Sequence, residues 1–264
     1  MKTSTPRTGY APVNGLELYY EIHGSGEPLL LIHGGVVGIA MWGPNLPALA
    51  ATRQVIAVEL QGHGRTRDVE RPLSYEAMAD DVVGLLDHLG LARVDVLGLS
   101  LGGGVALQTV IRHPDRVRRL VLVSAAFRRD GWFPEILEAF AEMGPAAAAP
   151  LWQSPLAQLY PHVDWDRLFT RIGTLQRTDY DWSAGVAEIT APTLLVFADA
   201  DSITPAHIVE LYGLLGGGRR DAELDGSLRS VNQLAILPGQ THYSMSAAPE
   251  LVTVVAPFLD APSR

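Results

Sequence analysis

The residue best suited to nucleophilic chemistry is a serine between glycines, in the pentapeptide Gly98-Leu99-Ser100-Leu101-Gly102. Residues 93–97 before it have the pattern of a short strand, and residues 103–111 after it have that of a helix. On a strand-to-helix turn this Gly-x-Ser-x-Gly pattern is typical of a nucleophile elbow, which exposes the serine hydroxyl in a strained backbone conformation. The alternative is a glycine-rich turn in an ordinary strand-helix-strand unit.

A serine hydroxyl attacks a carbonyl only when an imidazole removes its proton and a carboxylate orients that imidazole. Asp201 and His242 follow strand-like apolar runs, as Ser100 does. Functional groups gather at the carboxyl ends of the strands in parallel α/β sheets. The sequence therefore predicts a catalytic triad in which Ser100 is the nucleophile, His242 the base and Asp201 the orienting acid.

Alternating strands and helices must position these loops. An Asn14-Gly15 turn predicts an early hairpin. Buried strands are expected at residues 28–32, 53–58, 93–97, 117–124, 192–197 and 234–237, and helices at 41–50, 75–89, 103–111, 206–215 and 249–259. This alternation predicts the α/β class with a doubly wound, mostly parallel sheet.

The alternation stops between residues 127 and 189. This stretch has no strand-like run, is compatible with short helices, and is rich in aromatic residues and prolines. We expect a helical cap at 127–189, inserted into a core formed by 1–126 and 190–264. Some of its aromatic residues must fill the helical core, and two or three are expected to line a pocket.

Composition narrows the class of protein. The chain has 264 residues, 47% of them hydrophobic, a formal net charge of -9 and no cysteine. The acidic balance argues against nucleic acid or an anionic membrane surface as a partner. Disulfides, a cysteine nucleophile and thiolate metal sites are excluded. Residues 1–9 lack the apolar run of a secretory signal, and no apolar stretch is long enough to span a bilayer, so a cytoplasmic location is expected.

Four short motifs give the chain a resemblance to a known family. They are His33-Gly34-Gly35, Gly62-His63-Gly64-Arg65-Thr66, Asp201 four residues before Pro205, and Gly239-Gln240-Thr241-His242. With the serine pentapeptide, they resemble the motifs of the α/β-hydrolase fold over nearly the whole chain. Thr66 stands where that family usually has serine, Ala198 and Thr241 where it has glycine. The resemblance implies an eight-stranded sheet with an inserted helical cap.

Each site assignment has rivals. Asp199 is a second candidate acid, but Asp201 has the spacing to Pro205 that the resemblance requires. Structural hydrogen bonds are expected for His33 and His63. The remaining histidines are expected to be surface or capping groups (His23, His88, His113, His162 and His207), and two aspartates to be solvated (Asp221 and Asp225). No spacing of His, Asp and Glu predicts a metal site, and no glycine pattern predicts a nucleotide site.

The oxyanion formed during attack needs backbone donors. The N–H of Leu101, directly after the nucleophile, is one expected donor. The resemblance implies Gly35 as the second, with Val36 one residue away. The substrate is expected to contact apolar or aromatic side chains: Val36, Trp132, Trp152, Trp165, Trp182, Ile203 and Tyr243.

The expected activity is hydrolysis of carboxylic esters of small to medium apolar substrates through an acyl-enzyme on Ser100, without a cofactor, as in a carboxylesterase (EC 3.1.1). The cap resembles that of bacterial esterases, enol-lactonases and cofactor-free haloperoxidases (perhydrolases). The same triad serves lactone hydrolysis, C–C bond hydrolysis and perhydrolysis, so these alternatives stay open. A non-catalytic ligand receptor on the same fold is a further alternative. The sequence predicts no oligomeric state.

Overall fold

A computed structural model describes residues 5–262. The stretch 1–9, on which the prediction of no secretory signal depends, lies partly outside the described residues. Among the described residues, no helix combines the length and the apolar character needed to cross a membrane.

Eight strands form one sheet, as the resemblance implied. They are β1 (Arg7–Val13), β2 (Leu16–His23), β3 (Pro28–Ile32), β4 (Gln54–Val58), β5 (Val94–Leu99), β6 (Val117–Val123), β7 (Thr193–Ala200) and β8 (Gln233–Thr241), in the order β1-β2-β4-β3-β5-β6-β7-β8. β2 pairs antiparallel with β1 and β4, and every other pair is parallel. The predicted doubly wound, mostly parallel sheet is confirmed.

The antiparallel start of the sheet depends on the Asn14-Gly15 turn. Val13 pairs with Leu16 across it, and Asn14 (φ 48°) and Gly15 (φ 82°) both have positive φ. These values are typical of the two-residue hairpin turn that asparagine and glycine favour.

Ten α-helices connect or cover the strands. They are α1 (Asn45–Ala50), α2 (Tyr75–His88), α3 (Leu101–Arg112), α4 (Pro134–Ala141), α5 (Pro145–Ala148), α6 (Pro155–Leu159), α7 (Trp165–Arg177), α8 (Ser183–Ala187), α9 (Pro205–Leu214) and α10 (Pro249–Asp260) among residues 5–262. Single 3₁₀ turns lie at Ile39–Trp42, Pro114–Arg116, Arg129–Gly131 and Ala149–Gln153.

Both faces of the sheet are buried, because alternate strand residues enter two separate cores. In β3, Leu30 and Ile32 pack in the core that contains α2 and α3, whereas Leu29 and Leu31 pack in the core that contains α1 and α10. A strand buried on both faces has the continuously apolar sequence that 28–32 shows.

Two predicted helices have different boundaries. The helix expected at 41–50 is a 3₁₀ turn followed by the shorter α1, because Gly43 (φ 45°) and Pro44 interrupt the helical path. The helix after the serine begins at Leu101 instead of residue 103, so it starts directly at the elbow.

Between β6 and β7 the described chain forms helices and no strand of the sheet. α4 and α5 pack against α7, and isolated bridges join Arg128 to Asp181 and Trp132 to Ile203. The helices from α4 to α8 extend from residue 134 to residue 187 and lie within the stretch predicted as a cap.

Candidate active site

Ser100 lies on the sharp turn between β5 and α3. Its φ of 53° and ψ of −116° are sterically unfavourable for a residue with a side chain. The Ser100 N–H donates to the Val123 carbonyl at 2.9 Å and thereby ties the turn to β6. A Cβ at Gly98 would lie 2.2 Å from the Gly102 carbonyl oxygen, so only glycine fits there.

Three side chains from separate loops form one hydrogen-bonded chain. Ser100 Oγ lies 3.0 Å from His242 Nε2, and His242 Nδ1 lies 2.9 Å from Asp201 Oδ1. The Asp201 side chain is 1% exposed and that of His242 is 11% exposed. With Nδ1–H donating to the carboxylate, Nε2 is free to accept the Ser100 proton.

The second oxygen of Asp201 is also held. Ser124 Oγ donates to Oδ2 at 2.5 Å, and the Ala198 N–H donates to it at 3.0 Å. Burial alone would raise the Asp201 pKa, but the hydrogen bonds from His242, Ser124 and Ala198 outweigh burial and lower it. Asp199, the rival acid, is exposed and accepts the Gln240 N–H at 3.2 Å, away from this chain.

A buried histidine fixes the loop that follows β3. The Leu60 N–H donates to His33 Nε2 at 3.1 Å, so the proton is on Nδ1, which donates to the Gly34 carbonyl at 2.6 Å. Burial, with the nearby His63 ring, lowers the His33 pKa to about 3 and keeps the ring neutral. His33 therefore makes the structural hydrogen bonds expected of it.

The two expected oxyanion donors are neighbours. A Cβ built on Gly35 would lie 3.8 Å from the Leu101 Cβ, and Val36 has a positive φ of 57°. Among residues 5–262, the N–H groups of Gly35 and Leu101 have no protein acceptor. Leu101 is the first residue of α3, where unpaired N–H groups and the helix dipole favour a developing negative charge.

Glu59 fixes the far end of the loop that follows β3. Its buried carboxylate accepts the Ile39 N–H at 3.3 Å, the Arg65 N–H at 2.6 Å and the Arg65 guanidinium at 3.0 Å. The Tyr160 hydroxyl on the helical side accepts the Ala40 N–H at 3.3 Å. Burial raises the pKa of Glu59 above its usual range.

A cavity of about 310 Å³ opens beside Ser100. Its wall contains Gly34, Gly35, Val36, Val37, Met41, Leu99, Ser100, Leu101, Trp132, Ile136, Phe140, Met143, Ile172, Gln176, Ser202, His242, Tyr243 and Ser246. A larger cleft of about 730 Å³, lined by residues such as Arg65, Asp68 and Arg167, contains no triad residue. The smaller cavity is therefore the one that adjoins Ser100.

The structure brings three of the seven predicted substrate contacts to this cavity: Val36, Trp132 and Tyr243. The Trp132 ring lies edge-on to His242, with centroids 5.4 Å apart. The tyrosine is 79% exposed, so it lies at the mouth.

The other four predicted contacts do not line the cavity, and that expectation is corrected. Trp152 is 50% exposed and donates to Asp166 on the outer surface. Trp165, the first residue of α7, is buried in the core, and the Trp182 ring stacks on Tyr180. Ile203 is buried in the core, where its backbone pairs with Trp132.

Several cavity residues were missed because nothing in their types predicts chemistry. On the helical side they are Ile136, Phe140, Met143, Ile172 and Gln176. Their spacing is a usable signal. Ile136 and Phe140 are four residues apart, as are Ile172 and Gln176, so each pair shares one helix face. Met41, Ser124 and Glu59 had no comparable signal in the sequence.

One histidine differs from its expected place. His207 is buried, and its ring stacks on Phe127 with centroids 4.1 Å apart while Nε2 accepts the Phe127 N–H at 3.1 Å. It is a core group because Gly131 leaves room for its ring. Burial lowers the pKa of both His207 and His63 to about 4. Within the described part of the chain, no group of three His, Cys, Asp or Glu side chains is arranged to hold a metal ion.

Comparison with known proteins places this chain in a family. A family model described as the alpha/beta hydrolase family matches residues 29–254, a range that includes Ser100, Asp201 and His242. The chain belongs to the alpha/beta hydrolase family. The hydrogen-bonded arrangement of Ser100, Asp201 and His242 is consistent with that membership.

Relatives within the alpha/beta hydrolase family have different named activities. The "Putative carbamate hydrolase RutD" of Azorhizobium caulinodans is 34% identical over 238 residues, 81% of this chain and 88% of that protein. The 2-hydroxymuconate semialdehyde hydrolase of Pseudomonas sp. strain CF600 is 44% identical over 107 residues, 39% of this chain and 38% of that one.

Among solved structures, the enol-lactonase from Burkholderia xenovorans LB400 has a TM-score of 0.73 and 25% identity. The match covers 96% of this chain and 100% of the lactonase. Family membership and these relatives support hydrolase chemistry, while their names differ in the bond that is cleaved.

Proposed function

We propose that this alpha/beta hydrolase is a serine hydrolase that cleaves carboxylic esters through an acyl-enzyme on Ser100. The observation that supports the proposal most is the hydrogen-bonded chain from Asp201 through His242 to Ser100 Oγ, with both distances within 3.0 Å. Ser100 and His242, at the end of this hydrogen-bonded chain, line a largely apolar cavity, which suits an uncharged ester.

Acylation begins when His242 Nε2 removes the Ser100 proton as Oγ attacks the ester carbonyl. The carbonyl oxygen becomes an oxyanion, which the N–H groups of Leu101 and Gly35 would stabilise. The Asp201 carboxylate stabilises the imidazolium that forms, and its lowered pKa keeps it charged during the reaction. The imidazolium then protonates the departing alkoxide, leaving an ester on Ser100.

Deacylation repeats these steps with water. His242 removes a proton from a water molecule, which attacks the acyl carbonyl at the same donors. The serine leaves and recovers its proton from His242. No metal or redox group takes part in the proposed steps.

The cavity supports substrates of small to medium size. A volume of about 310 Å³ lies at the lower end of the range of small-molecule sites. We propose that residues 127–189 act as a cap over the core of 1–126 and 190–264, because side chains of α4 and α7 form the wall opposite the triad.

The proposal is tested with Ser100→Ala. Wild-type protein is expected to turn over p-nitrophenyl butanoate and to acquire the mass of one phosphonate adduct from a fluorophosphonate. Ser100→Ala is expected to lose both, whereas Ser227→Ala, in an exposed loop, keeps both. Ester turnover by a folded Ser100→Ala protein would contradict the proposal.

Carbamate hydrolysis is a second candidate, supported by the similarity to the Azorhizobium protein over 81% of this chain. A carbamate carbonyl presents the same electrophilic carbon to Ser100. Comparing kcat/KM for p-nitrophenyl butanoate and for the p-nitrophenyl N-ethylcarbamate of the same chain length separates the two. A higher value for the carbamate would favour the second candidate; matched lactones and β-diketones extend the test to the remaining bond types.

A further inference from the structure

The helical wall of the Ser100 cavity contains one polar side chain among hydrocarbon groups. Five of its residues are apolar or aromatic (Trp132, Ile136, Phe140, Met143 and Ile172), and the sixth is Gln176 on α7. Gln176 is 5% exposed and lies on the wall of the cavity. An amide N–H on an otherwise apolar wall is best paired by a ligand oxygen that accepts its hydrogen bond.

Tyr75 sets the orientation of this amide. The Tyr75 hydroxyl donates to Gln176 Oε1 at 3.3 Å from beneath α7. Burial raises the pKa of Tyr75 far above its usual value, so the phenol stays protonated and remains a donor. With Oε1 engaged, the two N–H groups of Nε2 remain available, since they make no hydrogen bond to another described residue.

The cavity offers no charge to match an anionic substrate. None of the residues on its wall is Arg, Lys, Asp or Glu. A free carboxylate brought into this space would lose its hydration without gaining a cation. An uncharged oxygen acceptor, such as an ether, ketone or second ester, needs only one neutral donor.

We propose that Gln176 is a specificity-determining residue that donates a hydrogen bond to an uncharged acceptor oxygen in the chain of the substrate ester. The preferred substrates are therefore neutral oxygenated esters instead of plain alkyl esters or half-esters with a free carboxylate. This inference rests on the proposed ester hydrolysis at Ser100.

The test compares esters in which one methylene is replaced by an ether oxygen. The p-nitrophenyl esters of hexanoic, 3-ethoxypropanoic and 4-methoxybutanoic acids have the same chain length and different oxygen positions. The measured quantity is the ratio of kcat/KM for each ether ester to that of the hexanoate. For the ether whose oxygen reaches Gln176, this ratio should fall about threefold to tenfold in Gln176→Leu, as expected for loss of one neutral hydrogen bond.

Two further variants distinguish the effect of the Gln176 hydrogen-bond donor on this ratio from the effect of the shape of the cavity wall. Gln176→Glu keeps an oxygen for Tyr75 but has no N–H donor when ionised, so it should lose the ether preference as the leucine variant does. Ile172→Val changes the volume of the same wall without changing its donors, so its ratio should stay within twofold of wild type. The mono-p-nitrophenyl ester of glutaric acid should be turned over at least tenfold more slowly than its methyl ester.

The outcomes distinguish this inference from the proposed function. Ser100-dependent turnover with the same ether ratio in wild type and Gln176→Leu would overturn the role of Gln176 alone. Faster turnover of the glutarate half-ester than of its methyl ester would overturn the neutral substrate class. Absence of Ser100-dependent turnover of all three chain-matched esters by folded wild-type protein would overturn both proposals.

Discussion

Gly102→Ala changes the spacing between the start of α3 and the end of β3 by a predictable amount. A Cβ at Gly102 would lie 2.3 Å from the Ile32 carbonyl oxygen and 2.4 Å from that of His33. Ordinary contact begins at 3.4 Å, so the start of α3 and the end of β3 must separate by about 1 Å. Both partners are backbone groups, so no side-chain rotation relieves the contact.

A displacement of about 1 Å at a reacting centre costs on the order of 10²-fold in rate, equivalent to about 2.7 kcal/mol. Since Leu101 and Gly35 lie on the two sides of this gap, the loss should appear mainly in kcat for p-nitrophenyl butanoate. Stability should fall as well, because the clash outweighs the gain of up to about 1 kcal/mol from alanine in a helix.

Gly213→Ala is the matched control. Gly213 is also within a helix, α9, and a Cβ there meets no atom within 4 Å. This variant should keep wild-type kcat and gain about 0.5–1 kcal/mol in urea denaturation. A folded Gly102→Ala protein with kcat within twofold of wild type would refute the reasoning that close backbone approach positions the donors.

Three further predictions concern charge and hydrogen bonding. The pKa of each buried histidine lies below the usual 6.5, at about 3 to 4, so the unfolded chain binds more protons in that interval. The free energy of unfolding should therefore decrease as pH falls from about 6.5 to 4, by up to about 1.4 kcal/mol per pH unit for each histidine. Urea denaturation midpoints that do not change across this pH range would contradict this prediction. Asp201→Asn should lower kcat by about 10⁴-fold and Ser124→Ala by about tenfold to a hundredfold, since the first removes the charge and the second only one hydrogen bond to it. Equal losses in the two variants would contradict that order. Glu59→Gln should lower kcat about threefold to tenfold with little change in KM, because an amide nitrogen replaces one of the two oxygens that accept the Ile39 and Arg65 N–H groups. A change confined to KM would contradict this positioning role.

Much of the sheet could be predicted because its strands have local signals. The strand at 28–32 matches its predicted bounds, since continuous apolar residues identify a strand buried on both faces. The loops of Ser100, Asp201 and His242 could be expected to meet, because each follows a parallel strand and these strands end at one edge. Their hydrogen bonds agree with that expectation, and their catalytic role remains a proposal.

The wall of the cavity could not be predicted in the same way. Residue type identified the tryptophans, but the packing of α4 and α7 against each other decides which side chains face Ser100. Trp165 is directed into the core, while the less conspicuous Ile172 and Gln176 reach the cavity. The helix expected at 41–50 was too long because apolar spacing outweighed the interruption at Gly43 and Pro44.

The left-handed turn at position 100 has a consequence for protein engineering. Surrounding backbone contacts at Gly98 and Gly102 fix the direction of its Cα–Cβ bond before any ligand arrives. A sulfur atom introduced by Ser100→Cys would consequently extend from the same Cβ position, on the side of the same imidazole. The backbone fixes where the side chain at position 100 begins, so exchanging serine for cysteine would change its reactivity without redesigning the scaffold.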